Sequence, residues 1–513
     1  MDVRVPSAHL HRIEEVGRSS VIYLASGVLQ MKWKRAAVVL CSLLTLAFVV
    51  PAGATSTTPR WDVAKVASLP SGATGLPSGF LPALGCASAG NCSAGGAYDD
   101  ASSHTQGLVL NEVRGVWTAP TKLIAPSGSA SDPGLTVNSI SCGAVGECVA
   151  VGSYDDGKNY AQSFVVGEVR GVWQRAREVV LPANAKGATQ LSEVHSVSCW
   201  SAGNCSAVGS YLDGTQPVGH SEGMVVNEVR GTWTRAQEVR LPADANANPY
   251  ALLNQITCTK GHCVGVGSYV GANGTTQGLA VNGVNATWTR GLTVALPANA
   301  NAYPVADVSE VACVSVANCT ALGTYTNVTG QNEGFTVTES KGTWQQALAM
   351  TMPTDAATNP HTFFYGYGGL ACASIGNCSA GGQYLVGTTQ YEGFFINEVN
   401  GVWQPATQMM LPSGALMAGK NGGVVAVSCR SAGDCSAGAA YFDGSSRYQA
   451  LVVNEVSNTW QVGQKIALPT GATSVGIDGG VYGLVCHRTG PCTATGSYLK
   501  TATTYEGFTV STS

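Results

Sequence analysis

The sequence predicts an all-β fold: an eight-bladed β-propeller of four-stranded antiparallel blades, closed by N- and C-terminal strands that share one blade. Two markers carry this prediction, a pair of cysteines and a tryptophan followed about eight residues later by Leu-Pro or a near equivalent. Each marker occurs eight times at intervals of 55 to 60 residues. A fixed period of this size indicates a solenoid, a propeller or an array. Units that cannot bury a face alone must stack on their neighbours.

Each unit contains four predicted strands, which are clearest around the stretch from Val197 to Pro242. The strands are predicted over residues 193–199, 205–211, 223–229 and 233–241. Each is short, rich in Val, Tyr or Thr, and bounded by Gly, Asn, Asp or Pro, which is typical of strands. Arg230-Gly231 is predicted to make the tight turn between the third and fourth strands. The proline of Leu-Pro ends the fourth, because proline lacks the N–H that pairing needs.

The first and last units are incomplete and complementary. Residues 61–70 match the segment from Trp to Leu-Pro that ends each unit, and the final copy stops at Ser513 without that segment. A strand supplied by the N-terminal segment would complete the last blade and leave no open edge. An open solenoid would carry atypical capping units instead. We therefore predict a closed propeller over residues 61–513.

The N-terminal region is predicted to be an export signal. Residues 31–54 combine a basic start, an apolar run from Ala36 to Val50 and an Ala-Gly-Ala cleavage site ending at Ala54, which are the parts of a signal peptide. Met31 is then the expected start, residues 1–30 are a mis-assigned extension, and residues 55–60 are a linker. The alternative is an uncleaved signal anchor, but a run of fifteen apolar residues is short for a membrane span.

Composition and charge exclude some classes of protein. Hydrophobic residues make up 45% of the chain, charged residues 11%, and there are 64 glycines. This is not the composition of a disordered chain. Residues 1–54 hold six basic and three acidic residues, so the remainder is more acidic than the net charge of −4 suggests. Nucleic acid is not expected as a partner, because phosphate binding requires a basic face.

Sixteen of the seventeen cysteines form closely spaced pairs, and Cys41 lies inside the apolar run of the signal. Even, regular spacing in an exported chain predicts disulfides, each of which would staple the hairpin between the first and second strands. Zinc is disfavoured because each unit offers two thiols, whereas a structural zinc ion takes four ligands. A disulfide closing a seven-residue loop contributes about 2.4 kcal/mol in the chain-entropy estimate. The predicted pairs are Cys86/Cys92, Cys142/Cys148, Cys199/Cys205, Cys258/Cys263, Cys313/Cys319, Cys372/Cys378, Cys429/Cys435 and Cys486/Cys492.

The unit resembles a kelch repeat. Val151-Gly-Ser-Tyr-Asp-Asp-Gly157 stands where kelch repeats carry Gly-Gly-Tyr-Asp-Gly, and Trp173 and Leu181-Pro182 follow at about the right distance. At this position of the unit, Gly-Gly itself is present only at Gly95-Gly96 and Gly381-Gly382. The cysteine pair is not a kelch feature, and it is similar to that of the paired-cysteine propeller repeats of secreted actinobacterial proteins. The resemblance implies a fold and an exported location, and it implies no activity.

Three further recurrent residue types are predicted to serve structure. The tryptophans are expected to pack between blades, since aromatic burial stabilises short strands. The glutamates before the tight turn are expected to be solvated turn residues, because one per blade cannot converge on a single bond as paired catalytic carboxylates must. The Asp-rich loops are expected to be turns, with a weak calcium site left open. The glutamates are Glu112, Glu168, Glu228, Glu398 and Glu455, and the loops contain Asp99-Asp100, Asp155-Asp156, Asp213 and Asp443.

A binding surface is predicted on the face formed by the links between blades and the loops between second and third strands. Both sets vary in sequence, and loops on a rigid scaffold are the usual place for binding. The variable links carry aromatic and histidine side chains, which suit a sugar ring or a protein contact. The alternative is that these rings fill the central channel. The candidate ligand-binding residues are Tyr250, Tyr303, His361, Phe363, Phe364, Tyr365, Tyr367 and Tyr482.

No set of residues in the sequence specifies a reaction. The histidines after residue 54 occupy unrelated repeat positions, and no nucleophile elbow, zinc-protease or phosphate-loop motif occurs. We expect no cofactor and no metal. The first hypothesis is a secreted, monomeric, non-enzymatic protein that binds a glycan, a peptide or a cell-envelope component, the last of which would place it at the cell wall. The second is an extracellular carbohydrate-active hydrolase or lyase with its site in the central channel. Fold alone does not choose between them.

Overall fold

A computed structural model describes residues 59–70, 73, 79–185, 191–214, 219–366, 368–415, 422–445, 447–469, 472, 480–500 and 504–513. A boundary between Thr55 and Ser56 divides the chain into two units, and the first unit lies outside the described residues. The predicted extension, signal peptide and most of the linker therefore also lie outside them. Within the described ranges all regular structure is β, and no helix there could cross a membrane.

The strands fall into four classes by their place in the blade. The innermost strands are β2 (Gly79–Ser88), β7 (Thr136–Ala144), β12 (Ser192–Ser201), β17 (Leu252–Thr259), β22 (Asp307–Ser315), β27 (Leu370–Ser374), β32 (Gly423–Ser431) and β37 (Gly480–Cys486). The second strands are β3 (Asn91–Asp99), β8 (Glu147–Asp155), β13 (Asn204–Leu212), β18 (His262–Val270), β23 (Asn318–Thr326), β28 (Asn377–Val386), β33 (Asp434–Phe442) and β38 (Cys492–Leu499). The third strands are β4 (Thr105–Val113), β9 (Ala161–Val169), β14 (Ser221–Val229), β19 (Thr276–Val284), β24 (Asn332–Ser340), β29 (Gln390–Val399), β34 (Tyr448–Val456) and β39 (Tyr505–Ser511).

The outermost strand of seven blades is broken into two short segments. The first segments are β5 (Val116–Trp117), β10 (Val172–Trp173), β15 (Thr232–Trp233), β20 (Thr287–Trp288), β25 (Thr343–Trp344), β30 (Val402–Trp403) and β35 (Thr459–Trp460). The second segments are β6 (Thr121–Lys122), β11 (Arg177–Glu178), β16 (Gln237–Glu238), β21 (Leu292–Thr293), β26 (Leu348–Ala349), β31 (Thr407–Gln408) and β36 (Gln464–Lys465). The eighth outermost strand is β1 (Lys65–Ala67).

These strands form eight antiparallel sheets, and each sheet is one blade. Blade 1 begins with β2 and blade 8 with β37, in chain order. Neighbouring innermost strands contact one another all the way round, including β37 against β2. The eight-bladed propeller predicted from the repeats is therefore confirmed.

The ring is closed inside blade 8, as the complementary end fragments predict. Strand β1 pairs with β39 in an antiparallel register that sets Val66 opposite Phe508. Trp61 forms a further bridge to Thr512, and the amide of Asp62 donates to the carbonyl of Ser511 at 3.0 Å. The two ends of the described propeller thus belong to one sheet, and the outer edge of β39 is covered.

The fourth strand was predicted to be continuous, and its interruption has a physical cause. In blade 3 the amide of Ala236 does not pair within its own sheet. It donates instead to the carbonyl of Val180 in the preceding blade at 2.8 Å. Ala64 repeats this contact in the closing blade, donating to Ala467 at 2.9 Å. A backbone amide that pairs with the next sheet cannot also pair within its own. The break therefore joins adjacent blades through their backbones.

All eight predicted disulfides are present, each closing the turn between the first and second strands. Disulfides persist in oxidising compartments. Eight of them in one chain indicate an oxidising environment for this protein.

The disulfides staple the hairpins as predicted, and the structure adds a second role. The second cysteine of each pair is also buried, and in several blades its sulfur contacts the preceding blade. Ser93 Oγ of blade 1 donates to Cys148 Sγ of blade 2 at 3.4 Å, and Cys378 Sγ of blade 6 lies 3.5 Å from Thr320 Oγ1 of blade 5. A single unit does not reveal this burial, because the neighbour lies one repeat earlier. The buried cysteines are Cys92, Cys148, Cys205, Cys263, Cys319, Cys378, Cys435 and Cys492, together with Cys486.

Most of the repeated tryptophans pack between blades, as predicted. In several blades the indole N–H also donates a hydrogen bond to an asparagine of the preceding blade. Trp173 donates to Asn111 Oδ1 at 2.9 Å, and Trp460 donates to Asn397 Oδ1 at 3.0 Å. Trp61 makes the equivalent bond to Asn454 at 3.4 Å. The N-terminal segment that closes the ring therefore makes the same tryptophan–asparagine hydrogen bond that joins other pairs of blades.

The prediction that the repeated glutamates are solvated is wrong. Glu112, Glu168, Glu228, Glu398 and Glu455 are all buried. Asn111 Nδ2 donates to Glu168 Oε1, and Asn397 Nδ2 donates to Glu455 Oε1, both at 2.6 Å. The partner lies one repeat earlier in the chain, so a single unit of sequence does not reveal it. Asparagine, tryptophan and glutamate together make a polar contact between blades.

Glu455 makes stability depend on pH. Its carboxylate is fully buried, and burial raises the pKa from an ordinary value of 4.5 to about 7. The folded state therefore holds the proton more tightly than the unfolded chain, so the contribution is complete below pH 4.5 and is lost as the pH rises through 7. We expect Glu455→Gln, which keeps the acceptor oxygen for Asn397, to remove a slope of about 1.4 kcal/mol per pH unit in this window. Denaturant unfolding at several pH values measures it, and identical slopes in both proteins would refute the assignment.

Candidate functional site

The inter-blade links and the loops between second and third strands lie at the same end of the ring, as predicted. Backbone bridges join them: Ser129 of the first link pairs with Asp156, and Ala245 of the third pairs with Gly271. Further bridges of this kind join Ala300 to Asn327 and Ala415 to Asp443. This end of the ring carries the mouth of the central channel.

The channel mouth is a cavity of about 500 Å³. This volume lies within the usual range for ligand pockets, about 300–1,000 Å³. One side is formed by the link between blades 5 and 6, and the other by the first residues of innermost strands. The lining residues are Phe80, Pro82, Thr136, Asn138, Glu193, His195, Asn254, Asp307, Ser309, Thr324, Phe363, Phe364, Tyr365 and Gly366.

Alternation along the innermost strands decides which side chains reach the channel. In blade 3, Val194 is completely buried between blades, while its neighbours Glu193 and His195 line the cavity. Val137 in blade 2 and Val308 in blade 5 are buried in the same way. Successive side chains of a strand point to opposite faces. Blades 2, 3 and 5 therefore present to the channel the residues on either side of one buried valine.

Glu193 and His195 form an ion pair at the mouth. His195 Nδ1 lies 2.9 Å from the carbonyl oxygen of Leu253, which only accepts, so Nδ1 carries a proton. The opposite nitrogen, Nε2, lies 3.5 Å from Glu193 Oε2. Burial opposes the charge on His195, but the hydrogen bond and charge of Glu193 outweigh it and raise the histidine pKa. The hydrogen bond from His195 in turn lowers the pKa of Glu193.

Asp307 is the second carboxylate at the mouth, and neighbouring amide and hydroxyl groups hold it. Asn254 Nδ2 donates to its two oxygens at 2.9 and 3.1 Å, and Ser309 Oγ donates at 3.1 Å. Burial raises the pKa of Asp307, while the bonds from Asn254 and Ser309 act against that rise. The polar side of the mouth thus combines carboxylates, an imidazole and amides on rigid strands.

Glu310 anchors the aromatic link from behind the cavity. It is completely buried, and Gln255 Nε2 donates to Oε2 at 2.6 Å while the amide of Gly368 donates to Oε1 at 3.3 Å. Burial raises its pKa to about 7, and the backbone amides of Gly369 and Gly368 oppose that rise. The link is irregular, but a buried charge-assisted contact to blade 5 fixes it.

The structure brings only part of the predicted aromatic set together. Phe363, Phe364 and Tyr365 line the mouth, and Phe363 packs edge-to-face on Tyr365 with ring centres 5.2 Å apart. Phe364 is 5% exposed and packs against Phe394, so it contributes mainly to the core of blade 6. Tyr482 stacks edge-to-face on Phe80, one of the lining residues, at 4.8 Å.

The other predicted residues lie outside the channel mouth. His361 borders a smaller neighbouring cavity of about 270 Å³ that also includes Phe363. Tyr250 and Tyr303 line neither cavity and are 62% and 68% exposed. Tyr250 and His361 both adopt left-handed backbone, with φ of 42° and 40°. Tyr367 lies outside the described residues.

The polar residues of the mouth were not predicted from the sequence. Glu193, His195, Asn254 and Asp307 come from three different repeats, and only the closed ring brings them together. One signal in the sequence could have indicated them. The position five residues before the first cysteine is Val or Leu in seven units and Tyr367 in blade 6; polar or charged residues flank it on both sides in blades 2, 3 and 5 and on one side in blade 4.

Comparisons with known proteins establish no family. No family model and no curated protein matches the chain. Solved structures with similar folds include a Trypanosoma rangeli sialidase with sialic acid, at 11% identity and a TM-score of 0.32 over 76% of this chain and 55% of that one. A polysaccharide lyase, PL25 ulvan lyase, is 11% identical with a TM-score of 0.41 over 71% of this chain and 89% of that one. A Mycobacterium tuberculosis puromycin-hydrolyzing peptidase is 12% identical with a TM-score of 0.40 over 86% of this chain and 62% of that one.

This chain therefore spans less than two thirds of the length of the sialidase and of the peptidase. At such identities and TM-scores the likenesses carry no argument about activity. The class that the fold defines is an eight-bladed propeller with one disulfide in every blade.

Proposed function

We propose that the protein is a secreted, monomeric binding protein that holds a glycan chain at the channel mouth. The observation that carries the proposal is the composition of the cavity walls. Phe363 and Tyr365 offer aromatic faces on one side, and Glu193, Asn254 and Asp307 offer hydrogen-bonding groups from innermost strands. A sugar ring has apolar C–H faces and a rim of hydroxyl groups, so it needs both kinds of wall. Ligand sites of this kind combine apolar surface with a few fixed polar groups.

Export and repeat type belong to the same proposal. The eight disulfides and the signal-like residues 31–54 support secretion. We also propose that the units are kelch-like, paired-cysteine repeats, on the residues quoted for that resemblance. Peptides and cell-envelope components are the other ligands that the same surface could take. Association with a cell wall would follow from a wall glycan as the ligand.

Phe363→Ala tests the proposal. Phe363 is 48% exposed, so its removal deletes aromatic surface from the mouth without emptying a blade core. We expect glycan affinity to fall about tenfold or more, as for an aromatic contact at the centre of an interface. The measurement is a binding screen of the purified protein against a glycan array and cell-wall preparations, followed by titration of each hit.

Tyr303→Ala is the matched control, because Tyr303 is an exposed aromatic residue of a link that does not line the mouth. We expect it to leave affinity unchanged. Equal losses in both variants, or no loss in Phe363→Ala, would reject the channel mouth as the binding site. Binding of a peptide in place of every glycan would reject the ligand class.

A second function, a carbohydrate-active enzyme, is supported by one observation. Glu193 and His195 are two titratable groups in contact at the mouth, which is the kind of pair used in proton transfer. Incubation of each bound glycan with the protein, followed by assay of new reducing ends or unsaturated products, tests it. Turnover that Glu193→Gln abolishes while binding persists would favour the enzyme. Binding without turnover would favour the binding protein.

A further inference from the structure

In blades 1, 2, 3 and 7 the loop between the second and third strands contains a turn built on one aspartate. In blade 1, Asp100 Oδ1 accepts the backbone amides of Ser102 and His104 at 2.9 and 3.1 Å. The other oxygen of Asp100 accepts a hydrogen bond from Gln106 Nε2 at 2.9 Å. In blade 7, Asp443 Oδ2 accepts a hydrogen bond from Gln449 Nε2 at 2.8 Å in the same way. In blades 1 and 7 the arrangement therefore pairs one carboxylate with one amide donor.

Blade 3 has a glutamate, Glu222, at the position of the glutamine in blades 1 and 7. Strand pairing sets Tyr211 opposite Glu222, as it sets Tyr98 opposite Gln106 in blade 1. Asp213, His220 and Glu222 therefore occupy the places of Asp100, His104 and Gln106. The prediction that the histidines occupy unrelated repeat positions is wrong for His104 and His220. The amide of His220 donates to Asp213 Oδ1 at 2.7 Å, so the turn itself is kept. An ionised glutamate has no hydrogen to donate, and two carboxylates now stand where blade 1 has a carboxylate and an amide.

The three side chains converge on one point. One potential ligand atom from each of Asp213, His220 and Glu222 lies within 4.8 Å of the others. His220 Nδ1 is 3.9 Å from Asp213 Oδ2. Glu222 is only 9% exposed, and its carboxylate accepts no hydrogen bond within the described part of the chain. The nearby carboxylate of Glu238, which accepts from Tyr211 at 3.0 Å, adds to the negative surroundings.

We propose that Asp213, His220 and Glu222 form a binding site for a first-row divalent metal ion such as Zn²⁺, separate from the channel mouth. The imidazole nitrogen and two carboxylate oxygens are ligands that zinc accepts. Calcium prefers six to eight oxygens, and magnesium likewise prefers oxygen ligands, so the histidine favours the transition metal. Three protein ligands leave a fourth tetrahedral position for water or a ligand group. In blades 1 and 7, the side-chain amides of Gln106 and Gln449 donate hydrogen bonds to the aspartate. In blade 3, the cation takes the place of that donor between the carboxylates.

The experiment is a calorimetric titration of the metal-free full chain with Zn²⁺. We expect one site per chain in the wild type. Glu222→Gln, which installs the residue of blades 1 and 7, should keep the fold and lower affinity at least about tenfold, a loss typical of a damaged metal site. Thermal unfolding of the same samples should show a zinc-dependent shift in the wild type that the variant lacks.

Blade 1 provides the reverse test, because Asp100 and His104 already occupy the corresponding places. Gln106→Glu should raise the stoichiometry from one zinc ion to two. A wild-type chain that binds no zinc, or a Glu222→Gln chain that binds it like the wild type, overturns the proposal. A stoichiometry that stays at one in Gln106→Glu overturns the claim that this set of side chains is sufficient.

Discussion

Replacement of Trp460 by alanine should lower the free energy of unfolding by about 3–5 kcal/mol, the usual cost of removing a large buried aromatic side chain. Trp460 is 6% exposed and stacks on Phe395 of the preceding blade, with ring centres 3.8 Å apart and planes 9° apart. Its indole N–H also donates to Asn397, which is in turn bound to Glu455. The substitution therefore leaves a cavity and removes a donor from a buried polar group, and both effects destabilise the interface.

Trp233 gives the matched control. It occupies the same place in blade 3, but Gly167 stands where blades 1 and 6 have Asn111 and Asn397. We expect Trp233→Ala to cost clearly less, because it breaks no bond to an asparagine and Trp233 is only partly buried. Denaturant unfolding of both variants measures the difference. Equal costs would show that the asparagine contact and the Phe395 stacking do not stabilise the ring.

Deletion of residues 56–67 should have a larger effect than any single substitution outside the disulfides. It removes buried Trp61, Ala64 and Ala67, and it uncovers β39. The loss of Trp61 alone is expected to cost about 3–5 kcal/mol, within a total stability that is about 5–15 kcal/mol for typical proteins. An uncovered strand edge also invites pairing with other chains. We therefore expect a strong loss of stability together with self-association.

Deletion of residues 1–55 alone is the control for that truncation. It retains every described contact of the closing strand, so the stability and the association state of the full chain should be preserved. Light scattering after size-exclusion chromatography reports association, and denaturant unfolding reports stability. Equal behaviour of the two truncated proteins would argue against a structural role for the N-terminal strand.

Much of the fold was predictable because one pattern is repeated eight times. The Trp and Leu-Pro markers revealed that residues 61–70 complete the last unit, and the cysteine spacing revealed the disulfides. The interruption of the fourth strand was not predictable, because Ala236 bonds to Val180 in another blade. The burial of Glu168 was missed for the same reason, since its partner Asn111 lies 57 residues earlier. Contacts between repeats are absent from any single repeat.

The candidate site was predictable in part. Variable, aromatic links pointed to the end of the ring that carries the channel mouth, and the link containing Phe363 and Tyr365 lines that mouth. Glu193 and His195 were passed over because they recur in no other unit, yet a channel site is assembled from residues that differ between blades. Phe364 could not be separated from Phe363 by sequence, because adjacent rings in an irregular link give no period that tells the buried one from the exposed one.

The central claim, that the N-terminal strand completes the last blade and closes the ring, is tested most directly by supplying that strand separately. A synthetic peptide of residues 56–70 would be added to the protein that lacks residues 56–67. We predict one-to-one binding that reverses the self-association and raises the free energy of unfolding, with a weaker effect from a peptide carrying Trp61→Ala. A truncated protein that is already as stable as the full chain, and that does not bind the peptide, would contradict the closed-ring account.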